Sequence, residues 1–330
     1  MKSLAFFNNK GGVGKTSLVY HLAWMFADLG LNVVAIDLDP QANLTSMFLG
    51  EDRLEQLWPD GEHPETILGI LRPIVKGVGD ITPPKLQQIN DRIALIAGDL
   101  GLSTFEDRLS DAWTKCLNND EAAFRTITSL FRAAKLAAEK TESDLVLIDV
   151  GPNLGAINRA ALIGADHVVI PLAPDLFSLQ GLKNLGPSLR TWRDGWEERK
   201  KKNPAKELDL PTGSMRPAGY VVMQHAVKAS DSPVKAYLRW MEQIPRVYRQ
   251  SVLDDLAPPA TSVSNDEYCL ARLKHYRSLM PMAMAARKPM FFLRPADGAI
   301  GSHIQAVRNC YTDFNMLAKV IAEAVAIEIL

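Results

Sequence analysis

The sequence has little cysteine, no long apolar run and almost no net charge, and each shortage removes a class of protein. Cys116, Cys269 and Cys310 are the only cysteines in 330 residues, far apart and in no C-x-x-C pairing. That argues against a disulfide framework, a zinc ribbon and an iron–sulfur site, and it suits a reducing cytoplasm. No apolar stretch approaches the roughly 20 residues that span a bilayer. The first one, residues 3–7, is too short for a signal-peptide core. Lys and Arg number 37 against 38 Asp and Glu, a formal net charge of −1. Nucleic-acid binding would therefore need a local basic patch, because the field of the whole molecule does not supply it. The chain also lacks internal repeats and low-complexity tails.

What is present is an alternation of short apolar runs and helical stretches. Residues 3–7, 32–36, 92–97, 145–150, 167–172, 220–223 and 290–293 read as strands buried on both faces. Between the first two, Leu18, Leu22, Met25 and Leu29 recur at helical spacing, and Gly30 ends the pattern. Strand, glycine loop, helix and strand in succession open a parallel sheet with crossover helices. Residues 121–139 read as a helix, and a last helix places Phe314, Leu317, Ile321 and Val325 on one face. The expected fold class is α/β, a mostly parallel twisted sheet flanked by helices, in a single domain over 1–330. Three stretches read as insertions. Residues 51–84 are rich in Pro and Gly. Residues 196–216, with the run RKKKNPAK, read as a surface loop. Residues 230–261 hold a helix over 234–252 that ends in APPA.

The chemistry concentrates in NNKGGVGKTS, residues 8–17. The common phosphate loop is G-x-x-x-x-G-K-[ST], and here Asn9 occupies its first position. Gly11, Gly12 and Gly14 let the backbone bend so that consecutive N–H groups, Val13 and Ser17 included, point at phosphate oxygens. A helix starting near Lys15 adds its positive end. Lys15 then suits the β- and γ-phosphates, and the Thr16 hydroxyl suits Mg²⁺. Asp37, Asp39 and Asp149 each close an apolar run, at the strand ends where open parallel sheets bind ligands. Asp149, at the end of LVLID, has the form of the acid that holds Mg²⁺, often through water. Lys10 is left over, since one loop around one triphosphate has no evident need of two lysines.

KGGVGKT, DLDPQAN, LVLIDVGPNLGAINRAAL and HVVIPLAPDLFSLQGL, in this order, closely resemble the ParA family of partition ATPases. That family lies in the ParA/MinD group, with a deviant phosphate loop and a P-loop NTPase-like fold. The resemblance covers residues 1–43 and 143–185 and returns faintly near 285–293 and in the last helix. It implies ATP and Mg²⁺ as cofactors and hydrolysis to ADP and phosphate. It implies a homodimer formed on ATP, in which Lys10 reaches the nucleotide of the other subunit, much as an arginine finger does. Lys10, Lys15 and Asp39 would then be catalytic, with Asp39 orienting the attacking water. Thr16, Asp37 and Asp149 would serve Mg²⁺. Gln41 and Asn43 would belong to a mobile loop, and residues 150–154 to a second switch. The family usually has D-x-P-P there; this chain has Asp149-Val150-Gly151-Pro152, and Gly151 should loosen the switch. Gln224 would lie against adenine.

The same resemblance implies binding to non-specific DNA, which needs cations on phosphates and little else. The candidates are Arg190, Arg193, Arg199, Lys200, Lys201 and Lys202, and a second group of Lys274, Arg277, Arg287, Lys288 and Arg294. A ParB-like partner would stimulate hydrolysis, and the cycle would partition DNA or position a cargo. The expected location is the cytoplasm, with nucleoid association. No membrane partner is expected, because MLAKVIAEAVAIEIL has one lysine and two glutamates. No helix-turn-helix extension precedes the first strand, so operator binding by this chain alone is not expected. The alternative is a nucleotide-gated scaffold with little turnover. It would recruit a partner through Tyr237, Trp240, Met241 and Tyr248 of the third insertion.

Overall fold

Eight strands form one sheet in the computed structural model, which describes residues 1–223, 231–276 and 278–329. They are β1 (Lys2–Phe6), β2 (Val33–Leu38), β3 (Gln87–Asn90), β4 (Ile93–Ile96), β5 (Leu145–Val150), β6 (His167–Leu172), β7 (Arg216–Met223) and β8 (Cys269–Leu273). Their order across the sheet is β3-β4-β2-β5-β1-β6-β7-β8. Only the β3–β4 pair is antiparallel among the described residues. β2, β5 and β6 are buried along their whole length. Hence their near-continuous apolar sequences, as expected for strands covered on both sides.

Alternation along β1 divides the core. Leu4 and Phe6 face helices Lys15–Asp28 and Ser302–Ala324. Ala5 and the following Phe7 face the other side, where helices Ile67–Lys76, Ser129–Lys140, Ala156–Ile163, Leu176–Lys200 and Asp231–Ser251 pack. Helix Lys15–Asp28 stops where the sequence predicts. The N–H of Gly30 bonds to Ala27 O at 3.0 Å with φ 94°, a conformation suited to glycine. β1 lies between β5 and β6; helix Lys15–Asp28 carries the chain from β1 to β2 on one sheet face, and helix Ala156–Ile163 carries it from β5 past β1 to β6 on the other. The crevice at its carboxyl end is where such sheets bind ligands.

Several expectations need correction. Residues 290–293 are not a strand. Met290–Phe292 is a 3-10 turn after Pro289, with Met290 and Phe291 buried in the core; a short apolar run fits a buried turn as well as a strand. The helix over 121–139 is two, Glu121–Ile127 and Ser129–Lys140. They meet at Thr128, whose hydroxyl bonds to Phe124 O at 2.8 Å. Residues 196–216 are only partly a loop, because helix Leu176–Lys200 runs into them. β3 and β8 escaped the sequence reading: β3 (QQIN) is polar and short, and β8 (CLARL) carries an arginine. In the third insertion the helix is Asp231–Ser251. Met241 and Tyr248 are core residues and Trp240 packs against that core. Side chains of residues 231–237, Tyr237 among them, and residues Gln224 and Arg277 lie outside the described residues.

Trp196 shows how the loop after its helix is held. The indole is fully buried, tilted against Phe124 at 6.3 Å between centroids, and its Nε1 donates to Pro211 O at 2.9 Å. Gly213 lies so close that a methyl group there would collide with the ring. Trp196→Ala should cost about 3–5 kcal/mol in urea unfolding, whereas Lys201→Ala on the exposed turn should stay within about 0.5 kcal/mol. Equal effects would show that the indole does not anchor this segment.

Candidate functional site

The glycine loop leaves the carboxyl end of β1 and is pinned from below. Asn8 is buried; its Nδ2 donates to Pro171 O at 2.6 Å, and its Oδ1 accepts the N–H of Lys10 at 2.9 Å. Gly12 and Gly14 have φ of 75° and 88°. These are left-handed values that favour glycine. Gly14 caps helix Lys15–Asp28 without a side-chain acceptor, so the helix's first N–H groups remain available to a ligand. A Cβ at Gly11 or Gly12 would meet nothing within 4 Å, because the loop faces open space. That space is a cavity of about 520 Å³, lined by residues 10–17 and by Asp39, Gln41 and Asn43 across from them. A recess of about 240 Å³ adjoins it, with Met223, Tyr276 and Met280 against Gly12 and Gly14. Gln224 follows Met223 but lies outside the described residues.

Parallel pairing brings the acids together. Asp37 on β2 is in register with Asp149 on β5, and both are fully buried. Burial first, and then the Asp149 carboxylate, push Asp37 above the usual carboxylate range. Its Oδ2 accepts the N–H and the hydroxyl of Thr45, both at 2.8 Å. Gly98 completes this seat. Its N–H donates to Thr45 Oγ1 at 2.7 Å, and a Cβ there would stand 2.9 Å from the Asp37 carboxyl. Burial also raises Asp149, against the pull of Lys15. Lys15 Nζ is ion-paired with Asp149 Oδ1, while Oδ2 is buried with no partner. Asp39 is buried at the cavity wall and accepts the N–H of Gln41 at 3.0 Å. Ala42, next in line, has φ 51°, a strained value of the kind that collects at movable sites.

These groups fit a divalent cation held jointly with a phosphate ligand. The orphaned Asp149 oxygen and the neighbouring acids supply negative potential beside Thr16. No cluster of three His, Cys, Asp or Glu stands ready to hold a metal by itself among the described residues. Mg²⁺ in nucleotide sites commonly keeps waters and takes one or two carboxylates plus phosphates, so this is the arrangement it needs.

Lys10 lies at the cavity edge, ion-paired with Asp175 and 5.8 Å from the Phe177 ring. Asp175 also caps helix Leu176–Lys200, accepting the N–H of Ser178 at 2.9 Å. The sequence reading missed Asp175, Thr45 and Gly98; a capping pattern, D-L-F-S before a long helix, was the available signal for the first. It also missed Asn158, whose buried amide bonds to Gly151 O at 2.7 Å and Asn153 O at 2.6 Å and holds residues 151–153. Gly151 is not forced by packing, because a Cβ there would meet Asp39 Oδ1 at 3.7 Å, an ordinary contact.

The basic candidates separate. Arg190 bonds to Ser251 O at 2.8 Å, Arg193 to Ser214 O at 3.0 Å, and Arg199 is buried with its guanidinium 3.8 Å from the Trp113 ring. Lys200 donates to Thr212 O at 3.0 Å. Lys201, Lys202, Lys274 and Arg294 are exposed. Arg287 and Lys288 line the 520 Å³ cavity.

A phosphate-type glycine loop after the central strand of an open, mostly parallel sheet, with three acids at the neighbouring strand ends, defines the P-loop nucleotide-binding class. A family model described as an AAA domain matches residues 1–201, and the chain belongs to this family, among its ParA-type members. Protein IncC of Escherichia coli is 34% identical over 56% of this chain and 44% of its own length. The sporulation initiation inhibitor Soj of Bacillus subtilis is 29% identical over 57% of this chain and 65% of its own. The match thus spans less than two thirds of either relative. Among solved structures, an ATP complex of a Cyanothece McdA variant superposes with a TM-score of 0.63, covering 100% of this chain and 98% of that one. At 18% identity that likeness is one of fold.

His21, one turn into the loop helix, gives the site a measurable signature. It is fully buried, with Nδ1 at 2.7 Å from Ser17 O and Nε2 accepting the N–H of Met290 at 3.1 Å. Burial lowers its pKa to about 4. The unfolded chain takes this proton near about 6.5. Between those values the unfolded state binds more protons, so stability falls as pH falls, by up to about 3 kcal/mol, and this group adds no further loss below pH 4. Urea midpoints at pH 7, 6 and 5 should drop in the natural chain and drop less in His21→Asn. Parallel slopes would remove His21 as the source.

Proposed function

We propose that the chain is a Mg²⁺-dependent ATPase that dimerises on ATP, binds DNA without sequence preference and positions a genetic or protein cargo. The observation that carries this is the glycine loop facing Asp39 across one cavity, with Asp149 paired to Lys15 behind the loop, Asp37 in register beside Asp149, and a second lysine at the cavity edge. Membership in the ParA-type family agrees with it, as do the ATP complex of the McdA variant and the plasmid-partition names among the relatives.

The roles follow from charge. Amides of residues 11–17 and the helix terminus cradle the triphosphate. Lys15 exchanges Asp149 for the β- and γ-phosphates. Thr16 would hold Mg²⁺ with the support of Asp37 and Asp149, and the ion would neutralise charge building on the phosphates. Asp39 orients the attacking water. Lys10 leaves Asp175 for the nucleotide of the second subunit. The base occupies the recess beside Met223 and Tyr276, and Gln224 is the amide assigned to adenine. Lys201, Lys202, Lys274 and Arg294 are the DNA contacts, joined by Arg277. A ParB-like partner stimulates turnover, in the cytoplasm and on the nucleoid.

Asp39→Ala protein should hold ATP without hydrolysing it. Its retention on non-specific double-stranded DNA should require ATP rather than ADP and should fall steeply with salt, because binding releases counterions. A protein that keeps ATP and is not retained on DNA at any salt concentration would overturn the partition reading.

A further inference from the structure

Arg287 ends helix Leu279–Ala286 at φ 49°. That is left-handed backbone, where a side chain is strained and glycine is the ordinary occupant. Such outliers persist where the side chain has a task. Its guanidinium crosses to Gly50, so close that a methyl group at Gly50 would collide with it. Gly50 lies just beyond helix Asn43–Phe48, and Asn43 and Ser46 of that helix line the same cavity as Arg287. Arg287 therefore reaches from the end of helix Leu279–Ala286 to the chain just beyond helix Asn43–Phe48, and both helices contribute to the cavity lining.

The other cations here are occupied. Lys15 pairs with Asp149, Lys10 with Asp175, and Lys288 with Asp297 at 2.8 Å. Arg287 forms no ion pair among the described residues. An unpaired guanidinium in the same cavity as the glycine loop is a donor for phosphate, which it can grip with two parallel bonds.

We propose that Arg287 is a nucleotide-binding residue of this chain, closing over the cavity and donating to a phosphate oxygen of the bound ATP. The proposal rests on the ATP reading above. It moves Arg287 from the candidate DNA surface to the nucleotide.

The test compares the natural chain with Arg287→Gly and Arg287→Lys by equilibrium dialysis of radiolabelled ATP with Mg²⁺, by calorimetric Tm and by DNA retention. Glycine suits the backbone, so Arg287→Gly should fold and raise Tm by about 1–3 °C. It should also weaken ATP binding about tenfold. A gain in stability with a loss in affinity is a pairing that a purely structural arginine would not give. Arg287→Lys keeps the strain and the charge, so its Tm should match the natural chain and its affinity should fall between the other two. Arg287→Gly that binds ATP like the natural chain overturns the proposal, and does so equally if DNA retention alone is lost. A natural chain that binds no ATP would sink the ATP reading itself, which is a different result.

Discussion

The site depends on one buried contact, the ion pair of Lys15 with Asp149. Parallel pairing of β2 with β5 fixes Asp37 beside Asp149, and Asp39 follows two residues on. Burial makes their charges expensive, and their mutual repulsion adds to that. Lys15 is the cation that answers them, and it leaves one oxygen of Asp149 without a partner. Such a pair is weak evidence for stability, since its desolvation offsets much of its attraction. It is better understood as a place kept ready for exchange. On the proposed reading, a magnesium–triphosphate complex would offer phosphate oxygens to the lysine and a cation to the acids, so that both sides of the pair would gain partners.

The surroundings fix this pair while leaving its neighbours able to move. Thr45, on helix Asn43–Phe48, and Gly98, just after β4, seat Asp37 rigidly. His21 fastens the loop helix to Met290, and through stacking on Phe314 to the last helix. Residues that could respond to a ligand are held more lightly. Ala42 is strained, Asn158 holds residues 151–153 through a few hydrogen bonds, and Lys10 is tied to a half-exposed carboxylate. The contrast between a rigid seat and light ties is what a site needs if it is to be both selective and mobile.

The loop and the strand-end acids were legible in the sequence because their signals are local. Glycines at fixed offsets, a lysine and threonine at a helix start, and apolar runs ending in Asp need no knowledge of the fold. The central strands were legible for a related reason, since strands buried on both faces have continuous apolar sequences. Partners joined across the chain were not. Asp175 lies 165 residues from Lys10, and Gly98 serves Asp37 only because β4 pairs with β2. Arg190, Arg193 and Arg199 looked like free cations, yet each is used within the chain. Composition shows that a charge exists; only packing shows whether it is spoken for. The run at 290–293 misled because buried turns and buried strands draw on the same residues.

The central claim is the proposal that this cavity is an ATP site completed by Lys10 of a second chain. Sedimentation velocity of Asp39→Ala protein tests it most directly, with ATP and Mg²⁺, with ADP, and again after adding Lys10→Ala. The account expects a dimer in the first case and monomers in the other two. A monomer with ATP, or a dimer indifferent to both nucleotide and Lys10, would contradict it.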